Sequence, residues 1–259
     1  MTEIIGILQA RCSSTRLPGK VLRPIMGKPM LLHQIERLER SKHLSKIVVA
    51  TSNASADDPL ASLCLDHKIE CYRGDLNDVL DRFYQAAVHY NALHIARLTG
   101  DCPLTDPAVI DHVIEAYIET GVDYASNALE PSYPDGLDVE IFNIDALKQA
   151  WEKAQLSSER EHVTPYIHKH PDLFKLLSVK HTEDLSALRW TVDNPEDFAF
   201  VSQVYDALYL QNPKFNTADI LHLLSIKTDL NSVNSHLVRN EGYQISIAKD
   251  HLKGVTRNV

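Results

Sequence analysis

Nowhere in its 259 residues does the sequence approach the roughly 18 consecutive apolar residues that a membrane-spanning helix needs. The amino end, Met-Thr-Glu-Ile-Ile-Gly, has no basic lead before an apolar core, so no secretory leader is expected and the chain reads as cytoplasmic. Cysteine is scarce. Cys12, Cys64, Cys71 and Cys102 form no Cys-x-x-Cys pair and no zinc-finger spacing, and they read as reduced structural thiols. Basic residues are the minority, 26 Lys+Arg against 35 Asp+Glu, for a net charge of −9. That balance argues against nucleic-acid binding, which draws its affinity from neutralised phosphates, but leaves room for one small basic pocket. The 13 histidines are scattered, without His-Glu-x-x-His, and His168 and His170 beside Pro171 read as solvated or capping groups. Transition-metal chemistry is therefore not expected. Gly-x-Ser-x-Gly and Gly-x-Gly-x-x-Gly are missing too, and Gly19-Lys20 is followed by Val21 without the upstream glycine of a Walker A loop.

What is present is an ordinary globular composition, 44% hydrophobic and 24% charged, with enough chain for a large core. Apolar runs alternate with amphipathic segments. Strands are expected at 4–8, 47–50, 69–72 and 94–98, with helices at 30–38, 58–67, 77–89 and 107–118, the last capped by Asp106. Beyond Gly121 the pattern loosens, with strands expected at 137–142, 174–179 and 188–192 and helices at 160–168, 195–210 and 217–224. The alternation predicts an α/β fold with a mainly parallel sheet in three layers, whose ligands bind at the carboxyl ends of the strands. We expect one domain over 1–226 with a small inserted sub-region at about 130–180, then a polar C-terminal appendage at 227–259.

The richest stretch follows the first strand: Ala10-Arg11-Cys12-Ser13-Ser14-Thr15-Arg16-Leu17-Pro18-Gly19-Lys20. It gathers three cations and three hydroxyl residues within eleven positions. A solvated basic loop would also look like this, but its place after strand one of an acidic chain favours a polyphosphate cradle. Two carboxylates stand at the ends of later apolar segments. Asp101 follows Leu98-Thr99-Gly100, and Asp193 lies in Thr191-Val192-Asp193-Asn194-Pro195-Glu196-Asp197. Such oxygen donors suit Mg²⁺, although Asp193 or Asn194 could equally cap the following helix.

Arg11 to Lys20, with Gly27-Lys28-Pro29-Met30, Gly-Asp-x-Pro at 100–103 and Val-Asp-x-Pro-Glu-Asp at 192–197, resembles the sugar-acid cytidylyltransferases. These include the 3-deoxy-manno-octulosonate and acylneuraminate enzymes, and the likeness is strongest to their spore-coat polysaccharide F-type (SpsF) relatives. It runs from residue 4 to about 202 and implies a nucleotide-diphospho-sugar transferase (GT-A-like, Rossmann-like) fold. It further implies CTP and a sugar-acid or sugar acceptor as substrates, Mg²⁺ on Asp101 and Asp193, and a homodimer. Arg16 and Lys20 would serve catalysis with those carboxylates. Nucleotide contacts are expected from Leu8, Ala10, Arg11, Ser13, Ser14, Thr15, Arg16, Lys20, Arg73, Asp78, Arg82 and Thr99. Thr99 departs from the Gln usual in the octulosonate enzymes.

Acceptor contacts are expected from Asp135, Asp138, Glu140, Arg160 and His162, with Arg160 clamping an anion. A satisfied structural role is the alternative for His162, and an i,i+4 pair is the alternative for Asp78 and Arg82. Arg239-Asn240-Glu241-Gly242-Tyr243 recurs in the F-type relatives and finds no role in this reading. The activity implied is nucleotidyl transfer, CTP plus sugar acid giving CMP-sugar and pyrophosphate for surface polysaccharide or glycan biosynthesis. Two rivals are a GT-A-type glycosyltransferase using a nucleotide sugar and a catalytically silent nucleotide-binding protein. The absence of any Asp-x-Asp counts against the former.

Overall fold

Alternation along the first strands decides the layering. In β1 (Ile4–Gln9), Ile4 and Leu8 point into one apolar cluster and Ile5 and Ile7 into the other. A strand apolar on both faces must be covered on both, which selects a central sheet between helical layers. The structure, a computed structural model, describes residues 2–256.

After β1 a two-stranded hairpin, β2 (Pro24–Ile25) and β3 (Lys28–Pro29), leads into α1 (Met30–Leu38). Then follow β4 (Leu44–Ser52), α2 (Asp58–Asp66), β5 (Glu70–Gly74), α3 (Val79–His89), β6 (His94–Thr99) and α4 (Pro107–Thr120). The second half adds β7 (Tyr124–Ser126), β8 (Glu140–Asn143), α5 (Ile144–Lys153), α6 (Ser157–His162), α7 (Pro165–His168) and β9 (Leu176–Ser178). The chain continues through α8 (Pro195–Leu208) and α9 (Thr217–Ile226) to α10 (Glu241–Thr256).

The described residues form a seven-stranded sheet in the order β5-β4-β1-β6-β8-β7-β9. β5, β4, β1 and β6 run parallel, β8 is antiparallel to both β6 and β7, and β9 is parallel to β7. Helices α1, α2, α4, α8 and α9 bury their apolar faces on one side, while α3, α5 and α7 pack on the other. No helix among the described residues is long and apolar enough to cross a membrane.

One expectation needs correction. The 188–192 segment is not a strand of the sheet. Trp190 and Val192 are buried, but their N–H groups go to the loop carbonyls of Asp135 (2.6 Å) and Asp101 (2.7 Å), and one bridge, Asp135 to Arg189, is all the pairing it makes. The 130–180 stretch supplies β8 and β9 to the main sheet. Residues 227–256 are tied to that body. Buried Asn234 donates to Asp197 (2.9 Å) and to the Arg189 carbonyl (3.0 Å), and α10 lies against α6.

Candidate active site

A cavity of about 640 Å³ opens at the carboxyl ends of β1 and β6. The loop after β1 forms one wall. Its start is held by buried Asp57, which accepts from the Cys12 N–H at 2.6 Å, and its end by the Gly19 N–H, which donates to the Cys12 carbonyl at 2.9 Å. Ser14 Oγ accepts from the Leu17 N–H at 3.3 Å. Gly19 takes φ of 68°, a left-handed turn that starts a short 3₁₀ turn at Lys20–Leu22. Val21 is buried by that turn, and the Lys20 side chain is carried beneath the loop toward the next strand end.

There Lys20 meets both carboxylates singled out in the sequence. Its Nζ donates to Asp193 Oδ1 (2.9 Å), Asp101 Oδ2 (3.3 Å) and the Val192 carbonyl (2.7 Å). The backbone explains how residues so far apart in the chain converge. The Asp101 carbonyl accepts from the Val192 N–H and, at 3.3 Å, from Thr191 Oγ, so the 188–193 segment is sewn to the turn after β6. That turn in its own right presses on the first loop: the Gly100 N–H donates to the Gln9 carbonyl at 2.7 Å, and a Cβ at Gly100 would stand 2.9 Å from that of Ala10. At Gly136, with φ of 109°, a Cβ would lie 2.5 Å from the Thr191 nitrogen, so glycine is required where the 188–193 segment crosses the 135–138 turn.

Burial alone would raise the Asp101 carboxyl, but the Lys20 ammonium, with hydrogen bonds from Thr99 and Cys102, holds it down at about 2. Burial likewise works against the Lys20 charge, and the two carboxylates overcome it, raising Lys20 above its ordinary value. Asp193 has further cations, Arg16 Nη2 at 2.9 Å and Arg189 Nη2 at 3.7 Å. Asn194, not Asp193, occupies the cap of α8, and the Asp197 carboxylate accepts from the N–H groups of both. Asp193 is thereby free to face the cavity. A pair of carboxylates fits Mg²⁺, a hard ion commonly held by one or two carboxylates with substrate phosphates completing its shell. Among the described residues no cluster of three or more His, Cys, Asp or Glu side chains is placed to hold a metal.

Of the expected contacts, Ala10, Arg11, Ser14, Thr15, Arg16, Lys20, Thr99, Asp101, Asp135, Asp138, Glu140, His162 and Asp193 line the cavity together. Six do not. Leu8 is fully buried in the core, and Ser13 lies off the cavity wall. Arg73 turns to the loop before α2, donating to the Ser52 (2.9 Å) and Ala54 (3.0 Å) carbonyls and to Asp58 (2.7 Å). Arg82 is fully buried and donates to the Asp75 carbonyl at 2.6 Å. Burial foremost, with the nearby Arg11 charge, pushes its guanidinium down to about 10. Asp78 caps α3 by accepting from the Asp81 N–H at 2.9 Å, and its partner is Arg160, not Arg82. Arg160 spends its donors on Asp78 and on the Trp151 carbonyl and does not line the cavity.

The opposite half of the cavity is built around buried carboxylates. Glu140 accepts from Tyr124 Oη (2.5 Å), Thr164 Oγ1 (2.5 Å) and Arg97 Nη1. Burial would raise its carboxyl, but Arg97 foremost, with those hydroxyls, holds it below its ordinary value. Asp138 is the reverse case. Burial pushes it up to about 7 despite the Arg239 guanidinium at 2.5 Å. Asp135 pairs with Arg189 at 2.9 Å. His162 is pushed down to about 4 by burial and bonds Ser246 Oγ at 3.1 Å.

Arg97, Tyr124, Thr164 and Ser246 line the cavity without having been foreseen, and so do Glu241 and Tyr243, which the sequence singles out without a role. For Arg97 a signal existed: a charge on a strand covered on both faces is rarely idle. For the others, contributed by short segments far apart in the chain, no local pattern marks them.

The chain matches a family model described as cytidylyltransferase over residues 5–214. It is 37% identical to an uncharacterized protein of Methanocaldococcus jannaschii, over 93% of this chain and 98% of that one. It is 34% identical to the spore coat polysaccharide biosynthesis protein SpsF of Bacillus subtilis, over 88% and 97%. Among solved structures, a cytidylyltransferase from Leptospira borgpetersenii superposes with a TM-score of 0.85 at 28% identity, covering 92% of this chain and 99% of that one.

Proposed function

The chain belongs to the cytidylyltransferase family, and from that premise we propose that it activates a sugar acid with CTP, giving a CMP-sugar and pyrophosphate for polysaccharide or glycan biosynthesis. The observation that carries this reading is the meeting of Lys20 with Asp101 and Asp193 beneath a loop that presents Arg11 and Arg16 to one cavity.

An acceptor oxygen of the sugar attacks the α-phosphorus of CTP, the bond from that phosphorus to the β-phosphate oxygen breaks, and pyrophosphate departs. Arg11, Arg16 and Lys20 hold the triphosphate and offset the charge that gathers on the leaving group. No covalent nucleophile is needed, because such a reaction runs on orientation and electrostatics. Asp101 stays ionised throughout the physiological range, and with Asp193 it would hold Mg²⁺, which when bound offsets charge on the phosphates. The sugar occupies the half of the cavity lined by Arg97, Thr164 and His162. Support for a sugar acid comes from the names of relatives such as the 3-deoxy-manno-octulosonate cytidylyltransferase of Solibacter usitatus, 29% identical over 81% of this chain. The same reading includes a homodimer in the cytoplasm, and sedimentation tests the dimer.

The deciding assay is pyrophosphate release from CTP with Mg²⁺ and each of a set of sugar acids, 3-deoxy-manno-octulosonate and an acylneuraminate among them. Turnover of CTP only when a sugar acid is present supports the reading. Turnover of a preformed nucleotide sugar without pyrophosphate release turns the assignment to a glycosyltransferase. A thermal-shift panel tests the base: CTP should raise the melting temperature more than UTP, ATP or GTP do, and equal shifts remove the cytidine assignment.

A further inference from the structure

The family match ends at residue 214, yet a later segment reaches the cation loop. Arg16 holds two carboxylates at once, Asp193 through Nη2 and Glu241, the first residue of α10, through Nη1. Glu241 is not a stray surface acid. On its amino side, Arg239 donates to Asp138 (2.5 Å) and to the Tyr133 carbonyl (3.1 Å), and buried Asn234 is bonded to Asp197. On its carboxyl side, nearly buried Ser246 donates to Glu161 (2.8 Å), and Asp250 accepts from the Ser158 N–H at the start of α6 (3.1 Å). The segment is thus tied to the acceptor-facing half by contacts on either side of Glu241, and those ties present its carboxylate to Arg16 across the mouth of the cavity.

Resting on the reading that this loop binds a triphosphate, we propose that Glu241 is a positioning residue that acts through Arg16, standing in for phosphate oxygens when no nucleotide is bound and competing with them for the guanidinium. The chemistry supports substitution. A carboxylate oxygen and a phosphate oxygen are both anionic acceptors for a guanidinium N–H, and Arg16 gives Glu241 one such bond, from Nη1. The pair lies at the cavity rim, with Glu241 half exposed at 51% and Arg16 at 30%, so the link is strong enough to orient Arg16 and weak enough to exchange. The consequence is a set affinity: part of what Arg16 gains from the triphosphate is offset by the loss of Glu241. Pyrophosphate release is helped in the same way, since the returning carboxylate takes the guanidinium from the departing product.

Calorimetry on the full chain tests this with CTP, CMP and inorganic tripolyphosphate, for wild type, Glu241→Gln, Arg16→Gln and the double variant. Glu241→Gln should tighten CTP and tripolyphosphate about two- to fivefold, the range of a part-exposed ion pair, and leave CMP unchanged. The gain should vanish when Arg16 is already Gln, the mark of action through Arg16 rather than through the fold. Unchanged or weaker tripolyphosphate binding in Glu241→Gln, an equal change for CMP, or a gain that survives in the double variant would each overturn the proposal. Because tripolyphosphate carries no base, the result is read separately from the nucleotide assignment: wild type that fails to prefer CTP removes that assignment, whereas the tripolyphosphate comparison alone decides the role of Glu241.

Discussion

Cations in the two halves of the cavity are paired in different ways. On the loop side, Lys20 and Arg16 rest on Asp101 and Asp193, whose side chains keep 27% and 23% of their exposure, and on rim-exposed Glu241. On the other side, Arg97 and Glu140 are 12% and 11% exposed, with Tyr124 and Thr164 donating to the same carboxylate. The first arrangement leaves Arg16, 30% exposed, beside open cavity, where an incoming anion can exchange for a carboxylate at modest cost, while Lys20, 10% exposed, reaches the cavity only between its two carboxylates. The second is desolvated, so removing Glu140 leaves the Arg97 charge without its counter-ion. One half is therefore built for exchange and the other as the frame that shapes the pocket.

Substitutions should separate the halves by what they damage. The largest effect is expected from Asp101→Asn, which should slow pyrophosphate release from CTP by about 10²–10³-fold while the melting temperature moves by only a few degrees, measured by steady-state assay and calorimetry. Glu140→Gln should do the opposite, lowering the unfolding free energy by about 3–5 kcal/mol in denaturant titrations because the Arg97 charge loses its counter-ion. A loss below about 1 kcal/mol would show that the two halves are not different in kind.

His162 gives a smaller, pH-dependent effect in the frame half. Its folded value of about 4 lies below the ordinary 6.5, so the unfolded chain binds the proton more tightly between those limits. Stability contributed by neutral His162 is then complete above about pH 6.5 and lost as pH falls through 4, on the order of 1–2 kcal/mol. Unfolding curves of His162→Gln against wild type should show a shallower decline over that window, and identical slopes would remove His162 from the account. The least effect is expected from Arg73→Ala: about 1 kcal/mol of stability, from lost hydrogen bonds to Ser52, Ala54 and Asp58, with CTP affinity unchanged in calorimetry.

The same contrast governs how much the sequence discloses. The first loop is legible because its cations and hydroxyls are neighbours in the chain and its strand is an uninterrupted apolar run. Asp101 and Asp193 are legible because each ends a partly apolar segment near Gly or Pro. The frame half is assembled from 97, 124, 140, 164 and the tail, which meet only after the sheet reverses direction at β8 and α10 folds back, and no periodicity records those events. The 188–192 segment misleads for a related reason: buried Trp190 and Val192 require extended backbone, but pairing with two loops satisfies it as well as a neighbouring strand does. Arg73 at the end of β5, Arg82 in α3 and Arg160 in α6 mislead because an arginine serves equally well to tie segments of the chain together, and carbonyl or carboxylate oxygens within reach each engage part of their guanidinium.

The central claim is that the cations of the first loop exchange their carboxylate partners for a triphosphate. Titrating wild type and Lys20→Met with CTP and with CMP tests it most directly. The account predicts a loss of about 10–100-fold for CTP in Lys20→Met, the worth of a charge-assisted hydrogen bond, with less than about a threefold change for CMP. Equal losses for the two nucleotides, or none for CTP, would contradict it.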